Sequence, residues 1–156
     1  MLKIREAKKE DAKELYRLIN ELAIYEKLEE EVVATIEDLE ESIFEKGQAK
    51  VILAELDSQI VGYALYFTSY STFLAKAGIY LEDLFVEPKH RGEGIGKRLL
   101  KELAKITITN DYGRLEWSVL DWNTPAINFY TSIGAVPMKG WTTKRLTGEA
   151  LENLAK

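Results

Sequence analysis

A chain of 156 residues is long enough for one domain around one core, and 46% hydrophobic with 30% charged residues is a globular balance. The absence of cysteine excludes a disulfide framework, a thiol nucleophile and zinc–thiolate sites, and a single histidine, His90, argues against a multi-histidine metal centre or a Ser-His-Asp triad. A net charge of −5 argues against a general nucleic-acid binder; with no membrane-length apolar run and no secretory signal, a cytoplasmic location without metal, nucleic-acid or membrane partners is expected.

In chain order, residues 2–5 read as a short strand and 10–26 as a helix with Ala12, Leu15, Ile19 and Leu22 on one face. An acidic cluster follows at Glu26, Glu29, Glu30 and Glu31. Thr35 and Asp38 form a capping-box pattern for a second helix bearing Ile36, Leu39 and Ile43, which Gly47 ends. Residues 51–55 and 60–67 are strands joined by a turn at 57–59, and 68–78 is a loop with Tyr70 and Phe73. Residues 79–86 are the next strand, followed by a helix with Ile95, Leu99, Leu103 and Ile106 on one face. Residues 115–120 are a strand. Thr124 is a good N-cap and Pro125 a good first helical residue for a short helix ending at Gly134. Residues 141–146 are a last strand and 147–155 a terminal helix. The order β-α-α-β-β-β-α-β-α-β predicts a mixed α/β fold in a single domain, 1–156, with a mostly antiparallel sheet flanked by helices. Hairpins in the first half imply antiparallel pairing and the later crossovers parallel pairing.

The most informative stretch joins the strand at 79–86 to the helix after it. Leu81-Glu82-Asp83-Leu84-Phe85-Val86-Glu87-Pro88 carries two adjacent carboxylates through an apolar run and leads into Arg91-Gly92-Glu93-Gly94-Ile95-Gly96-Lys97. A helix N-terminus exposes unpaired N–H groups and the positive end of its dipole, and glycines let that backbone approach an anion. The stretch reads as a pyrophosphate cradle beside a buried acid. The glycines at 92, 94 and 96 do not fit the dinucleotide spacing G-x-G-x-x-G, and Arg98 stands where a Walker loop needs a hydroxyl residue. Strand alternation puts Tyr80, Glu82, Leu84 and Val86 on one face and Leu81, Asp83 and Phe85 on the other, so Glu82 and Asp83 point opposite ways.

The pattern R-x-x-G-x-G at Arg91, Gly94 and Gly96 resembles the acetyl-CoA signature of the GNAT superfamily of N-acetyltransferases. Acetyl transfer from a thioester to an amine makes three demands. An alkylammonium with a pKa of ~10.4 must lose a proton, the developing oxyanion needs a donor, and a thiolate with a pKa of ~8.5 benefits from an acid. Glu82 can take the proton, directly or through water, a backbone amide near Phe85 can serve the oxyanion, and the Tyr130 hydroxyl can protonate the thiolate.

Further matches make the resemblance more specific. Glu21-Leu22-Ala23-Ile24-Tyr25-Glu26, residues 80–86 and 91–96, Asp121-Trp122-Asn123, Ile127-Asn128-Phe129-Tyr130 and Gly140-Trp141 resemble, in order, the spermidine/spermine acetyltransferase family, including its diamine and thialysine-type members. The resemblance implies acetyl-CoA as co-substrate, its thioester and pantetheine arm meeting Leu84, Phe85 and Val86. It implies a pyrophosphate site at Arg91, Gly92, Glu93, Gly94, Ile95, Gly96 and Lys97, and further cofactor contacts at Asn123, Thr124, Pro125 and Ala126. Tyr130 matches the general acid. Tyr25, Glu26, Glu82, Glu116, Trp117 and Ser118 match acceptor-side positions, and a homodimer is implied. A diamine, a polyamine or a lysine-like amino acid is the implied acceptor; Lys139 stands where the polyamine enzymes often carry an acid, which favours a lysine-like amino acid or short diamine over a long polycation. Acetylation of a protein N-terminus or lysine is a second enzyme reading. A non-catalytic CoA-binding sensor is a third, which has no need of Glu82 and Tyr130.

Overall fold

Alternating apolar side chains organise the sheet. In the computed structural model, which describes residues 1–156, Val51, Ile52, Leu53 and Ala54 of β2 (Lys50–Leu56) are all buried, so this strand is covered on both faces. It lies between β1 (Leu2–Glu6) and β3 (Gln59–Ser71), and β4 (Lys76–Val86) and β5 (Leu115–Trp117) complete a five-stranded sheet in the order β1-β2-β3-β4-β5. Every pairing is antiparallel except β4 with β5. On one face α1 (Ala12–Tyr25) places Leu15, Leu18 and Leu22 against Val51, Leu53, Ile60, Tyr63 and Phe85. The capping box holds as read: the Thr35 hydroxyl accepts from the Asp38 N–H, and the Thr35 N–H donates to the Asp38 carboxylate. It starts α2 (Ile36–Leu39), whose last turn widens into a π-helical stretch, Glu40–Glu45, that adds Ile43 to the same core. The helix α3 (Ile95–Thr109) packs against β1 to β5 through Ile95, Leu99, Leu100 and Leu103, all buried.

Two compact units make up the chain, Met1–Ser118 and Val119–Lys156. The first holds the sheet with α1 to α3. The second holds α4 (Thr124–Ser132) and α5 (Gly148–Leu154).

The sequence reading differs from the structure at several places. The loop expected at 68–78 shrinks to residues 72–75, because β3 and β4 stay paired out to Ser71 opposite Lys76. The strand expected at 115–120 ends at Trp117. Asn123, not Thr124, is the N-cap of α4. Residues 141–146 form no strand: Trp141 is 83% exposed and Leu146 45%, so no apolar face is buried there to hold a ladder.

The alternation expected along β4 is also broken. Leu65 stands opposite Asp83 and Tyr66 opposite Leu81, which leaves Glu82 as the extra residue of a β-bulge. A bulge shifts the side-chain period by one. Tyr80, paired with Phe67, therefore shares the α1 face with Asp83 and Phe85, while Leu81 is buried on the α3 face beside Tyr66. Glu82 and Asp83 no longer alternate as consecutive residues of a regular strand.

The bulge leaves Asp83 largely buried. Its Oδ2 accepts a hydrogen bond from the Tyr63 hydroxyl at 3.0 Å. Burial, opposed by that bond and reinforced by the charges of Glu82 and Glu26, pushes its pKa up from 3.8 to about 6. A carboxyl whose folded pKa exceeds its unfolded one holds its proton longer in the folded state. The folded protein therefore loses stability as pH rises from about 4 to about 6, and the full penalty is present above that window. Asp83→Asn removes the ionisable group and keeps the acceptor oxygen. Urea unfolding is expected to find the variant more stable than wild type at pH 7, by a margin on the order of 3 kcal/mol at most, shrinking toward zero at pH 4.

Candidate active site

The site begins where two strands part. β5 pairs with β4 in parallel only at Ile79↔Leu115, Tyr80↔Glu116 and Leu81↔Trp117. β4 continues to Val86, so no strand of the sheet pairs with residues 82–86 along the edge away from β3. Backbone N–H and C=O groups in such an edge are a ready template for an extended, amide-bearing ligand. Leu84, Phe85 and Val86 lie on this edge.

The open edge runs directly into the glycine turn. After a single turn at Pro88–His90, Gly92 and Gly94 adopt φ of +83° and +79°, a left-handed backbone that glycine enters without steric strain. Gly94 caps α3, and the first N–H of the helix ladder is that of Arg98, which donates to the Gly94 carbonyl. The N–H groups of Ile95, Gly96 and Lys97 precede the ladder, at the positive end of a 15-residue helix. Gly96 is the telling position. Its φ is ordinary, and a Cβ built on it would meet only Val86 Cγ2 at 3.8 Å, an ordinary van der Waals contact. Glycine inside a helix costs about 0.5–1 kcal/mol relative to alanine. Neither backbone strain nor internal packing accounts for it, and the missing Cβ leaves this backbone open to close approach.

Arg91 is placed otherwise than as a free phosphate-seeking cation. Its Nε donates to the Val86 carbonyl at 3.1 Å, and its guanidinium lies 4.5 Å from the Tyr25 ring centroid and 5.5 Å from that of Phe85. It ties the C-terminal end of α1 to the end of β4. A second tie is Arg17, which pairs with Glu87 at 3.1 Å and donates to the Ile60 carbonyl. Together they hold the cradle against the sheet.

Acidic and aromatic side chains gather on the α1 face of the sheet. Glu82 is exposed at the bulge, and Asp83 and Glu26 are partly buried. Desolvation pushes the pKa of Glu26 up. Tyr80 shares a short hydrogen bond, 2.7 Å, with the Ser118 hydroxyl, and its ring packs on Phe67 with centroids 5.3 Å apart. Glu116, opposite Tyr80, is paired with Arg114 at 2.8 Å. Trp117 pairs with Leu81, so its register places it on the other face from Tyr80 and Glu116. Of the acceptor residues read from the sequence, Tyr25, Glu26, Glu82, Glu116, Trp117 and Ser118 belong to this unit together with the cradle, Trp117 on the other face. Sequence reasoning missed Tyr63 and gave Asp83 no partner. The only available signal was a hydroxyl inside the apolar run Ile60-Val61-Gly62-Tyr63-Ala64-Leu65.

The second unit carries its own group. Asn123 is buried at the start of α4, followed by Thr124, Pro125 and Ala126, and Tyr130 lies half-buried in the second turn with its ring 5.6 Å from that of Phe129. Lys139 is exposed in a turn before Gly140, which has a φ of +92°. No group of His, Asp or Glu side chains is arranged to hold a metal ion, and no helix is long and apolar enough to cross a membrane.

Comparisons with known proteins point the same way as the geometry. The family described as "Acetyltransferase (GNAT) family" matches residues 12–135. A thialysine N-epsilon-acetyltransferase of Bos taurus is 39% identical over 164 residues, covering 97% of this chain and 96% of its own. An L-ornithine N5-acetyltransferase of Arabidopsis thaliana is 46% identical over 100 residues, covering 64% of this chain and 44% of its own. Among solved structures, an integron cassette protein from the mobile metagenome of V. cholerae superposes with a TM-score of 0.84 at 32% identity, over 99% of this chain and 98% of that one.

Proposed function

This chain belongs to the acetyltransferase (GNAT) family and is an acetyl-CoA-dependent N-acetyltransferase; from that premise we propose that its acceptor is the primary amine of a small molecule, a diamine, a polyamine or a lysine-like amino acid. The observation that carries this reading is the open edge at 82–86, which starts at two carboxylates and ends at a helix N-terminus. Acceptor, thioester and pyrophosphate then follow one another along one strand. Tyr25, Glu26 and Glu82 offer an aromatic face and carboxylates, the chemistry that recognises an alkylammonium. The relatives named for thialysine and ornithine support an amino acid bearing a side-chain amine.

Acetyl-CoA supplies an activated acetyl thioester. The N–H groups of Ile95, Gly96 and Lys97 hold its pyrophosphate and the edge at 84–86 its pantetheine arm. Glu82 takes a proton from the acceptor ammonium, directly or through water, and frees the lone pair that forms the C–N bond. A backbone N–H near Phe85 donates to the carbonyl oxygen as negative charge develops there. By the family resemblance, Tyr130 is assigned as the acid that gives its proton to the thiolate as the C–S bond breaks, and Asn123, Thr124, Pro125 and Ala126 as further cofactor contacts. Lys139 meets the carboxylate of an amino-acid acceptor. The family resemblance supports a homodimer in the cytoplasm, with residues 1–156 acting as one catalytic domain.

Gly96→Ala separates binding from folding. The variant is expected to be at least as stable as wild type, gaining about 0.5–1 kcal/mol, while its acetyl-CoA affinity falls about tenfold or more. Calorimetry showing unchanged affinity would remove the cradle from the mechanism. In steady-state assays that follow CoA release, Tyr130→Phe is expected to lower kcat by ~10²–10⁴ with little change in cofactor affinity. Glu82→Gln is expected to lose activity at neutral pH and partly recover it at higher pH, where more free amine exists. For acceptor choice, the expected kcat/KM is higher for a lysine-like amino acid or short diamine than for spermine, and Lys139→Glu moves the preference toward polyamines. Spermine ranking first in the wild type, or no shift in Lys139→Glu, would refute the preference assigned to Lys139.

A further inference from the structure

Tyr63 is fully buried among Leu15, Leu18, Leu53 and Phe85, in a core where a phenylalanine would pack equally well. A hydroxyl in such a place needs a partner, since burying it without one costs several kcal/mol on alkane-transfer scales. The partner is Asp83, at 3.0 Å. The carboxylate thus held lies next to Glu82 in the chain, at the bulge where β4 loses β5 as a partner. The groups that bear on Asp83 come from each element around it. Tyr63 comes from β3, Glu82 from β4 and Glu26 from the C-cap of α1, while the Arg91 guanidinium is stacked over Tyr25 and Phe85. The charges of Glu82 and Glu26 both disfavour the ionised form of Asp83.

We propose that Tyr63 is a positioning residue for proton acceptance: its hydroxyl fixes Asp83 beside Glu82, and the two carboxylates together hold the proton that the acceptor ammonium gives up. This inference rests on the acetyl-transfer reading of the same site. In the step itself an N–H bond of the ammonium breaks, an O–H bond forms on Glu82, and the nitrogen keeps its lone pair for the acetyl carbon. Asp83, coupled to Glu82, sets how readily that O–H forms and how readily its proton returns to water after the amide leaves. The Tyr63 hydroxyl stabilises the ionised form of Asp83 against burial and against the charges of Glu82 and Glu26. Tyr63 therefore keeps the pair able to accept a proton at neutral pH.

The test is the pH dependence of kcat/KM from pH 5.5 to 9, with acetyl-CoA and a panel of diamines and lysine-like amino acids. It compares wild type, Tyr63→Phe, Asp83→Asn and the double variant. Loss of the hydroxyl raises the pKa of Asp83 further, so the acid limb of Tyr63→Phe is expected to move up by about one pH unit. Asp83→Asn and the double variant are expected to share one limb, because Tyr63 acts through Asp83. A limb in Tyr63→Phe that superimposes on wild type, or a rate lowered by the same factor at every pH, overturns the inference and leaves acetyl transfer standing. Carbon-13 carboxyl titration of wild type and Tyr63→Phe provides a measurement independent of turnover. Asp83 titrating near 6 in wild type and higher in Tyr63→Phe supports the inference, and the same value in both overturns it. Failure of the wild type to acetylate any amine in the panel defeats the functional reading instead, and the carboxyl titration still decides whether Tyr63 and Asp83 act as a pair.

Discussion

The site depends on the parting of β4 from β5. Three residue pairs hold the two strands together, and then β5 ends while β4 runs on for five more residues. A fully paired sheet would have satisfied the backbone of 82–86 internally and left nothing for a ligand to pair with. Because the strands separate just after Leu81 and Trp117, the carboxylates, the open edge and the glycine turn fall in one continuous line. The spacing along that line follows from covalent geometry, since each strand residue advances the chain by about 3.3 Å.

The bulge at Glu82 gives this line its chemistry. It puts Tyr80, Asp83 and Phe85 on the α1 face and buries Leu81 against α3. In a regular strand the same residues would have sent Asp83 and Tyr80 to opposite sides. The consequence is electrostatic strain: a partly buried aspartate whose neighbouring charges, Glu82 and Glu26, share its sign. Nothing in the hydrophobic core requires a carboxyl there. A buried acid whose surroundings push its pKa up is a recurrent feature of sites where protons are transferred.

The cradle is rigid for a reason that lies outside the glycines. Left-handed backbone at Gly92 and Gly94 shapes the turn. Its position is set by Arg91, bonded to the Val86 carbonyl and stacked on Tyr25, and by Arg17, paired with Glu87. Both arginines join α1 to the last residues of β4. The C-terminal end of α1, at Tyr25, is therefore tied to the glycine turn proposed to hold the pyrophosphate.

Features that depend on near neighbours in the chain were legible in the sequence. The capping box at Thr35 and Asp38, the amphipathic faces of α1 and α3, the glycine turn and the family motif are each written within a few residues, where backbone conformation is decided locally. Family membership and the identity of the acids belong to this class. The bulge at Glu82, the extension of β3 and β4 past residue 68, the loss of the strand expected at 141–146 and the bond from Tyr63 to Asp83 belong to another. Each depends on which residue of one strand faces which residue of another, or on whether a partner is there at all. Tyr63 and Asp83 are twenty residues apart, and only the register of β3 on β4 brings the hydroxyl to the carboxylate. A period of two predicts faces correctly until one inserted residue shifts it, and that insertion is decided by tertiary pairing rather than by any local preference of Glu82.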